Sequence, residues 1–431
     1  MSAPRFEGDD AGTPHEAWLE SAALRAAPVL DRQPGALLVV AAHPDDEVLG
    51  AFGSIHEAAR RGIPVTVVVA SDGEGSHPGS PTLSQAALAQ QRRTEQEAAL
   101  AGTGAHILRL GLPDGALRRH RRELVAAIAP LIAALPSDAR VIAPWARDGH
   151  PDHELVGDAV AAIAREAGRE CAWAPIWAWL WGEPGLLDDV ALHRLPLDAD
   201  AREVKARAIA AHRSQIAALS PDPADRAVLS PSMLARFAGD EWLVLAPPAR
   251  PMPFDERYAD EGDPWSTRTA WYERRKRALV LAALPEQHYR LAVEVGCGTA
   301  MLTAELATRC DAALGVDASL PALAEARRTI AGRTNAWVEH RAVHDGLPRA
   351  DVDLIVLSEI GSYVEADALR GILHEARDAG AQVVLCHWRG EGEDLLASAE
   401  QVHALAAGTT GMRRVVEHRD AAFLLDVLVP S

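Results

Sequence analysis

The sequence predicts two α/β domains with mainly parallel sheets, and three observations lead to that class. Four predominantly apolar runs, Ala36–Ala41, Ala139–Trp145, Leu291–Val295 and Ala312–Val316, have the character of strands buried on both faces of a parallel sheet. Each run ends at residues able to do chemistry: an acidic-histidine cluster, a glycine turn or an aspartate. The length of 431 residues suggests two or three domains at about 150 residues each. A connector stands at Pro247-Pro248-Ala249-Arg250-Pro251-Met252-Pro253, whose four prolines resist both helix and sheet. The expected divisions are a polar extension at 1–34, with a short helix near Pro14–Ala27, a first domain at 35–248 and a second at 249–431.

After the first run comes Ala42-His43-Pro44-Asp45-Asp46-Glu47, and after the second His150-Pro151-Asp152-His153. Each cluster puts two candidate ligands three positions apart, His43 with Asp46 and His150 with His153. A catalytic zinc takes three protein ligands and keeps one position open, so four candidates leave one for chemistry. Open α/β sheets place their binding crevices at the carboxyl ends of strands, where these clusters would meet.

These strings resemble the motifs of the PIG-L/LmbE family of zinc-dependent de-N-acetylases. The resemblance spans residues 35–248 and includes Gly111-Leu112-Pro113-Asp114-Gly115 and the K-x-x-A-x-x-x-H-x-S-Q pattern from Lys205 to Gln215. It implies that His43, Asp46 and His153 hold Zn2+ or a similar divalent metal, that Asp45 is the general base, and that His150 faces the substrate carbonyl. Asp114 would lie at the sugar-binding edge. Those roles suit amide hydrolysis, which needs an activated water, a stabilised oxyanion and a proton for the departing amine. A protonated His150 would donate to the oxyanion, a contribution of about 3 kcal/mol. Asp152 reads equally as an imidazole-orienting group or a loop-capping carboxylate.

In the second half, Glu294-Val295-Gly296-Cys297-Gly298-Thr299-Ala300 carries a strand into a glycine turn and a helix from Met301. Gly296 and Gly298 let backbone approach a ligand. Asp317, nineteen residues beyond Gly298, ends the next apolar run, placed to bond a ribose hydroxyl pair. The third small residue of a dinucleotide fingerprint is missing, since Met301 occupies its position. The stretch resembles motif I of class I S-adenosylmethionine-dependent methyltransferases, with Ala300 in place of the last glycine and its methyl expected near the cofactor. Asp263-Pro264-Trp265, Ala270 to Lys276, Ser358 to Tyr363 and His387-Trp388-Arg389 are similar to methyltransferases of the NodS group. Both resemblances imply Rossmann-like domains. In the second, Asp351–Leu357 and Ala381–His387 would be the fourth and fifth strands, and Phe254–Leu284 a helical lid. Glu359, Tyr363 and His387 would approach the transfer site, and Glu294, Gly296, Gly298 and Asp317 would hold S-adenosyl-L-methionine. Tyr363 and Trp388 read alternatively as packing residues.

The formal net charge of −18 argues against nucleic acid as a partner, since phosphate neutralisation needs a basic face. A small molecule fits better, and the resemblance implies an amino sugar or glycosylated metabolite. Cys171, Cys297, Cys310 and Cys386 lack metal-knuckle spacing, and Cys297 reads as a small buried thiol. Glu7, Asp9 and Asp10 interrupt any signal-peptide core, and no run reaches the ~18 apolar residues of a membrane span, so a cytoplasmic enzyme with no membrane contact is expected. Trp173, Trp177, Trp179 and Trp181 alternate as in a strand, with the last three on one face. That stripe reads as core or interdomain contact ahead of a sugar-stacking surface.

The resulting expectation is a bifunctional enzyme that removes an N-acyl group and transfers a methyl, with the amine so exposed as a candidate acceptor. The alternatives are a C-terminal cofactor-sensing or interaction module without catalysis, motivated by Ala300, and methylation of an unrelated substrate.

Overall fold

The computed structural model describes residues 12–30 and 32–431, so Glu7, Asp9 and Asp10 lie outside the described residues. Two compact units divide between Ala249 and Arg250, and each is built on one seven-stranded sheet.

The first sheet comprises β1 (Leu37–Ala41), β2 (Val65–Ser71), β3 (His106–Leu112), β4 (Arg140–Pro144), β5 (Glu170–Ala174), β6 (Ala191–Leu195) and β7 (Glu241–Leu245), in the order β3-β2-β1-β4-β5-β7-β6. β1 to β5 pair in parallel, whereas β7 pairs antiparallel with both β5 and β6. Period-two alternation explains why β1 is apolar throughout: Leu37, Val39 and Ala41 enter one core, and Leu38 and Val40 the core on the opposite face. The helices Asp46–Arg60 and Pro151–Glu166 follow β1 and β4, and supply Phe52 and Ile55 to the first core and Val156 and Val160 to the second.

The N-terminal segment holds two short helices, His15–Leu19 and Ala22–Ala26, in place of the single helix expected near Pro14–Ala27. Trp18 is buried, and its indole N–H donates to the Trp179 carbonyl at 2.9 Å. The tryptophan stripe is not a strand. β5 stops at Ala174, and Ala178–Trp181 forms one helical turn. Three successive backbone N–H groups, from Ile176, Trp177 and Ala178, converge on the distant carboxylate of Asp148 at 2.7–3.0 Å, and this interaction turns the chain.

The second sheet comprises β8 (Tyr289–Val295), β9 (Cys310–Asp317), β10 (Ala336–His340), β11 (Leu354–Ser358), β12 (Gln382–Trp388), β13 (Met412–Arg419) and β14 (Phe423–Pro430), ordered β10-β9-β8-β11-β12-β14-β13. Its first five strands are parallel, and β14 pairs antiparallel with both β12 and β13. The expected lid over Phe254–Leu284 contains helices Asp255–Glu261 and Trp271–Ala283. Among the described residues no helix is long and apolar enough to cross a membrane.

Candidate active sites

In each sheet the strand order reverses between the first and fourth strands of the unit, the point at whose carboxyl ends open α/β sheets place their binding crevice. In the first unit β1 leads to His43 and Asp46, and β4 to His150 and His153. Asp46 begins its helix, where the dipole favours a carboxylate, and its Oδ2 accepts from the backbone N–H groups of Ala42 and His43 at 2.9 Å each. His43 Nδ1 lies 3.3 Å from His153 Nε2 and 3.7 Å from Asp46 Oδ2, and His153 Nε2 lies 3.2 Å from Asp46 Oδ1. The three residues are buried with their donor atoms turned toward one another, an arrangement able to hold a metal ion.

Each imidazole is backed by carboxylate. His153 Nδ1 donates to Asp148 Oδ2 at 2.7 Å, and His43 Nε2 meets Asp114 Oδ1 at 3.0 Å and Asp152 Oδ2 at 3.4 Å. Such partners fix the ring orientation of a metal-binding histidine. Burial pulls the His153 pKa down, but Asp46 and Asp148 outweigh it and raise it to about 9. Burial pushes Asp46 up, yet His153 and His43 hold it well below the usual carboxylate range. The pocket thus stabilises positive charge at the point where a cation would bind, and its donor set fits zinc.

Asp114 stands against His43, with Oδ2 accepting from the Gly75 N–H at 2.8 Å. Asp152 combines its two expected roles: its carboxylate caps the Gly115 and Leu117 N–H groups while facing His43.

Asp45 connects β1 to the helix with φ 129°, a conformation rare for a side-chain-bearing residue. Burial raises its pKa to about 6, with Arg92 acting in the opposite direction. Arg92 Nη2 lies 3.2 Å from Asp45 Oδ1, and the same guanidinium donates to the Pro44 and Gly73 carbonyls. For His150, burial and the charges of His153 and His43 drive the pKa well below its ordinary value, which favours the neutral ring. Its Nδ1 accepts from the Asp152 N–H at 3.2 Å, which leaves the proton on Nε2 and makes that atom a donor without protonation of the ring.

Sequence reasoning missed Arg92 and Asp148. Arg92 lies in a polar helix whose sequence, Gln85–Ala99, reads as a solvated face; the nearest signal is Gly73, where an added Cβ would come 2.2 Å from the guanidinium. Asp148 resembles an ordinary loop residue until the four hydrogen bonds of its carboxylate are seen in three dimensions.

The late motif from Lys205 to Gln215 supports this centre from behind. Lys205 Nζ pairs with Glu241 Oε1 at 2.8 Å in the interior, and Glu241 also accepts from the Gly53 and Ser54 N–H groups. The Ser214 backbone and hydroxyl both donate to Glu95.

In the second unit β8 enters the turn with Gly296 at φ 72° and Gly298 at φ 52°. Asp317 Oδ2 accepts from the Gly298 N–H at 2.8 Å, and its Oδ1 from the Ser319 N–H at 2.9 Å. The lid approaches closely, since a Cβ on Gly298 would lie 2.6 Å from the Tyr258 hydroxyl. A cavity of about 650 Å³ is lined by Glu294, Gly296, Gly298, Asp317, Glu359 and Tyr363 together with lid residues such as Tyr258 and Tyr272. Ala300 adopts the left-handed conformation that a glycine would take freely, but its methyl belongs to the buried core and does not line the cavity. Cys297 is buried with its pKa raised by desolvation, in keeping with an inert thiol.

Glu359, at φ 68° just past β11, accepts from the Tyr272 hydroxyl at 2.8 Å and from Lys276 at 2.9 Å through Oε1, and from the Trp388 N–H at 2.8 Å through Oε2. Tyr363 lines the cavity edge-on to Phe254, with ring centroids 5.3 Å apart. The expectation that His387 approaches the transfer site is not met. It is 0% exposed and absent from the cavity wall, because its Nε2 turns inward to accept from the Gly361 N–H at 3.0 Å.

Residues 38–164 match the family described as GlcNAc-PI de-N-acetylase (PIG-L), and residues 292–381 match the family described as methyltransferase domain. The chain is therefore an enzyme of two parts, a PIG-L-type deacetylase domain followed by a methyltransferase domain. A Bacillus cereus protein described as "Probable N-acetyl-alpha-D-glucosaminyl L-malate deacetylase 2" is 29% identical over 197 residues, which cover 43% of this chain and 86% of that protein. Among solved structures, the A40926 pseudoaglycone deacetylase Dbv21 is 24% identical, covering 51% of this chain and 100% of that chain at a TM-score of 0.39. The N-methyltransferase NodS from Bradyrhizobium japonicum WM9, in complex with S-adenosyl-l-homocysteine, is 20% identical, covering 41% and 95% respectively at a TM-score of 0.36.

Proposed function

We propose that the first domain is a zinc-dependent hydrolase of an N-acetyl amino sugar and that the second transfers a methyl from S-adenosylmethionine to the amine so exposed. The observation that carries the first half is the convergence of His43, Asp46 and His153 donor atoms at the crevice, with a carboxylate behind each imidazole. A divalent metal bound there would supply Lewis acidity and an acidified water. Asp45, with a pKa near 6, takes a proton from the attacking water and returns it to the departing nitrogen. The neutral His150 donates from Nε2 to the oxyanion. The C–N bond breaks, leaving acetate and a primary amine.

For the second half, Gly296, Gly298, Asp317 and the buried Glu294 form the cofactor end of the cavity. S-adenosylmethionine supplies the electrophilic methyl. Glu359, held from three directions, faces the acceptor end, where its remaining acceptor capacity can orient an amine N–H. Reaction order follows from chemistry: the amide nitrogen shares its lone pair with the carbonyl, whereas a neutral amine attacks once held in line. The reading of a non-catalytic module loses its motive, because the Ala300 methyl sits in the core.

The test supplies an N-acetylglucosamine glycoside with zinc and S-adenosylmethionine and follows products by mass. Deacetylated product should precede N-methylated product, and Asp45→Asn should give neither. A methyl on oxygen, or on the still-acetylated compound, would overturn the coupled scheme.

A further inference from the structure

The three tryptophans of the turn after β5 divide into two groups. Trp179 is a core residue: it is buried and packs edge-on against Trp18 at 5.0 Å. Trp177 and Trp181, four residues apart on the other side of the helical turn, are half-buried and stack face to face with centroids 4.7 Å apart and planes at 9°. Trp179 is enclosed in that core, whereas Trp177 and Trp181 pack against its edge and keep part of their surface exposed.

The pair is fixed beside the candidate catalytic histidine. The Trp177 ring lies 6.4 Å from the His150 ring at 26°. Asp148 binds the N–H groups of Ile176, Trp177 and Ala178 and also His153 Nδ1, so one buried carboxylate positions both the indole-bearing turn and a metal-facing imidazole. Gly149 keeps the chain close: a Cβ there would lie 3.2 Å from the Trp181 ring.

We infer that the Trp177–Trp181 stack is a binding subsite for a second ring, a sugar or aromatic aglycone joined to the N-acylated sugar, which rests its apolar face or edge on the indoles. The inference rests on the deacetylase reading. An amide whose carbonyl oxygen meets His150 Nε2 carries its sugar ring within a few bonds of that atom. The Trp177 centroid, 6.4 Å from the imidazole, is about one pyranose diameter from it, a distance that a ring joined to that sugar can reach. Indoles suit this role because they offer a large rigid apolar surface with only two side-chain torsions to fix.

The experiment compares the methyl and phenyl glycosides of N-acetylglucosamine, with zinc, in the full-length wild type, Trp177→Ala and Trp177→Phe. The wild type should prefer the phenyl glycoside through a lower KM. In Trp177→Ala, kcat/KM for the phenyl glycoside should fall about tenfold more than for the methyl glycoside. Trp177→Phe should restore most of the preference. Equal losses on both glycosides, or loss of bound zinc from either variant, would assign the pair a structural role and overturn the subsite alone. A zinc-loaded wild type inactive on both glycosides would overturn the deacetylase reading itself, and the subsite with it.

Discussion

His387 and His403 face each other across 3.2 Å, Nδ1 to Nε2, in a buried line that begins at Asp426 and ends at the backbone of Gly361. The donors and acceptors form a consistent sequence when both rings are neutral. The Gly361 N–H donates to His387 Nε2, His387 Nδ1 donates to His403 Nε2, and His403 Nδ1 donates to Asp426 Oδ2 at 2.8 Å. The line anchors the turn between Glu359 and Tyr363, and Ile360 in that turn rests on Gly296, where a Cβ would be only 2.8 Å away. Replacement of His403 by leucine should leave His387 Nδ1–H without a partner, cost about 1–3 kcal/mol of stability and weaken S-adenosylhomocysteine binding. Urea unfolding and calorimetric titration measure both effects, and unchanged values would show that the line is dispensable.

Glu294 should give the second unit a pH-dependent stability. Burial lifts its carboxyl to about 8 from an ordinary value of 4.5, although the Thr303 hydroxyl donates to it. The folded state therefore holds this proton more tightly than the unfolded chain. The stabilisation is complete below about 4.5 and is lost as pH rises through about 8. Glu294→Gln should flatten the fall in unfolding midpoint of the cofactor-free protein between about pH 5 and about pH 8.5. Parallel curves for the two proteins would contradict this.

The Lys205–Glu241 pair is at most 3% exposed on either side chain. Lys205→Met would strand a buried carboxylate that also secures the Gly53 and Ser54 backbone, and should cost about 3–5 kcal/mol. Replacing both residues with apolar ones should recover part of that loss. Denaturation curves of the two variants decide the point, and a single-variant loss below about 1 kcal/mol would be inconsistent with an intact buried pair.

Asp148→Asn should weaken zinc binding by about 10- to 100-fold, because the amide presents donors where His153 and three backbone N–H groups require acceptors. Competition with a chromophoric chelator measures the change. Wild-type affinity in this variant would exclude Asp148 as the orienting group.

What could be read from the sequence depended on range. His43, Asp46, His150 and His153 were legible because each pair is local and follows an apolar strand, so topology brought them together without knowledge of packing. The glycine turn and Asp317 were legible for the same reason. The tryptophan turn was misread because W-x-W-x-W also fits a helix, in which Trp177 and Trp181 share a side and Trp179 opposes them. Asp148, 28 to 30 residues away, decides between the two, and no local pattern announces it. His387 follows the same logic. Its place at the end of β12 suggested the cavity, but its partner His403 arrives from a later helix and turns the ring inward.

Both units lay out their strands in one plan, with the third, second, first, fourth, fifth, seventh and sixth strands side by side. The location of chemistry is thereby set twice by the same rule, and its kind is set by the few residues that leave the first and fourth strands. In one unit these are imidazoles and carboxylates; in the other they are glycines and a single strained glutamate. An architect would call this a common floor plan with different fittings. It follows that reprogramming either reaction begins with changes at those two exits, and that Asp114 after the third strand of one unit and Asp317 at the end of the second strand of the other come next.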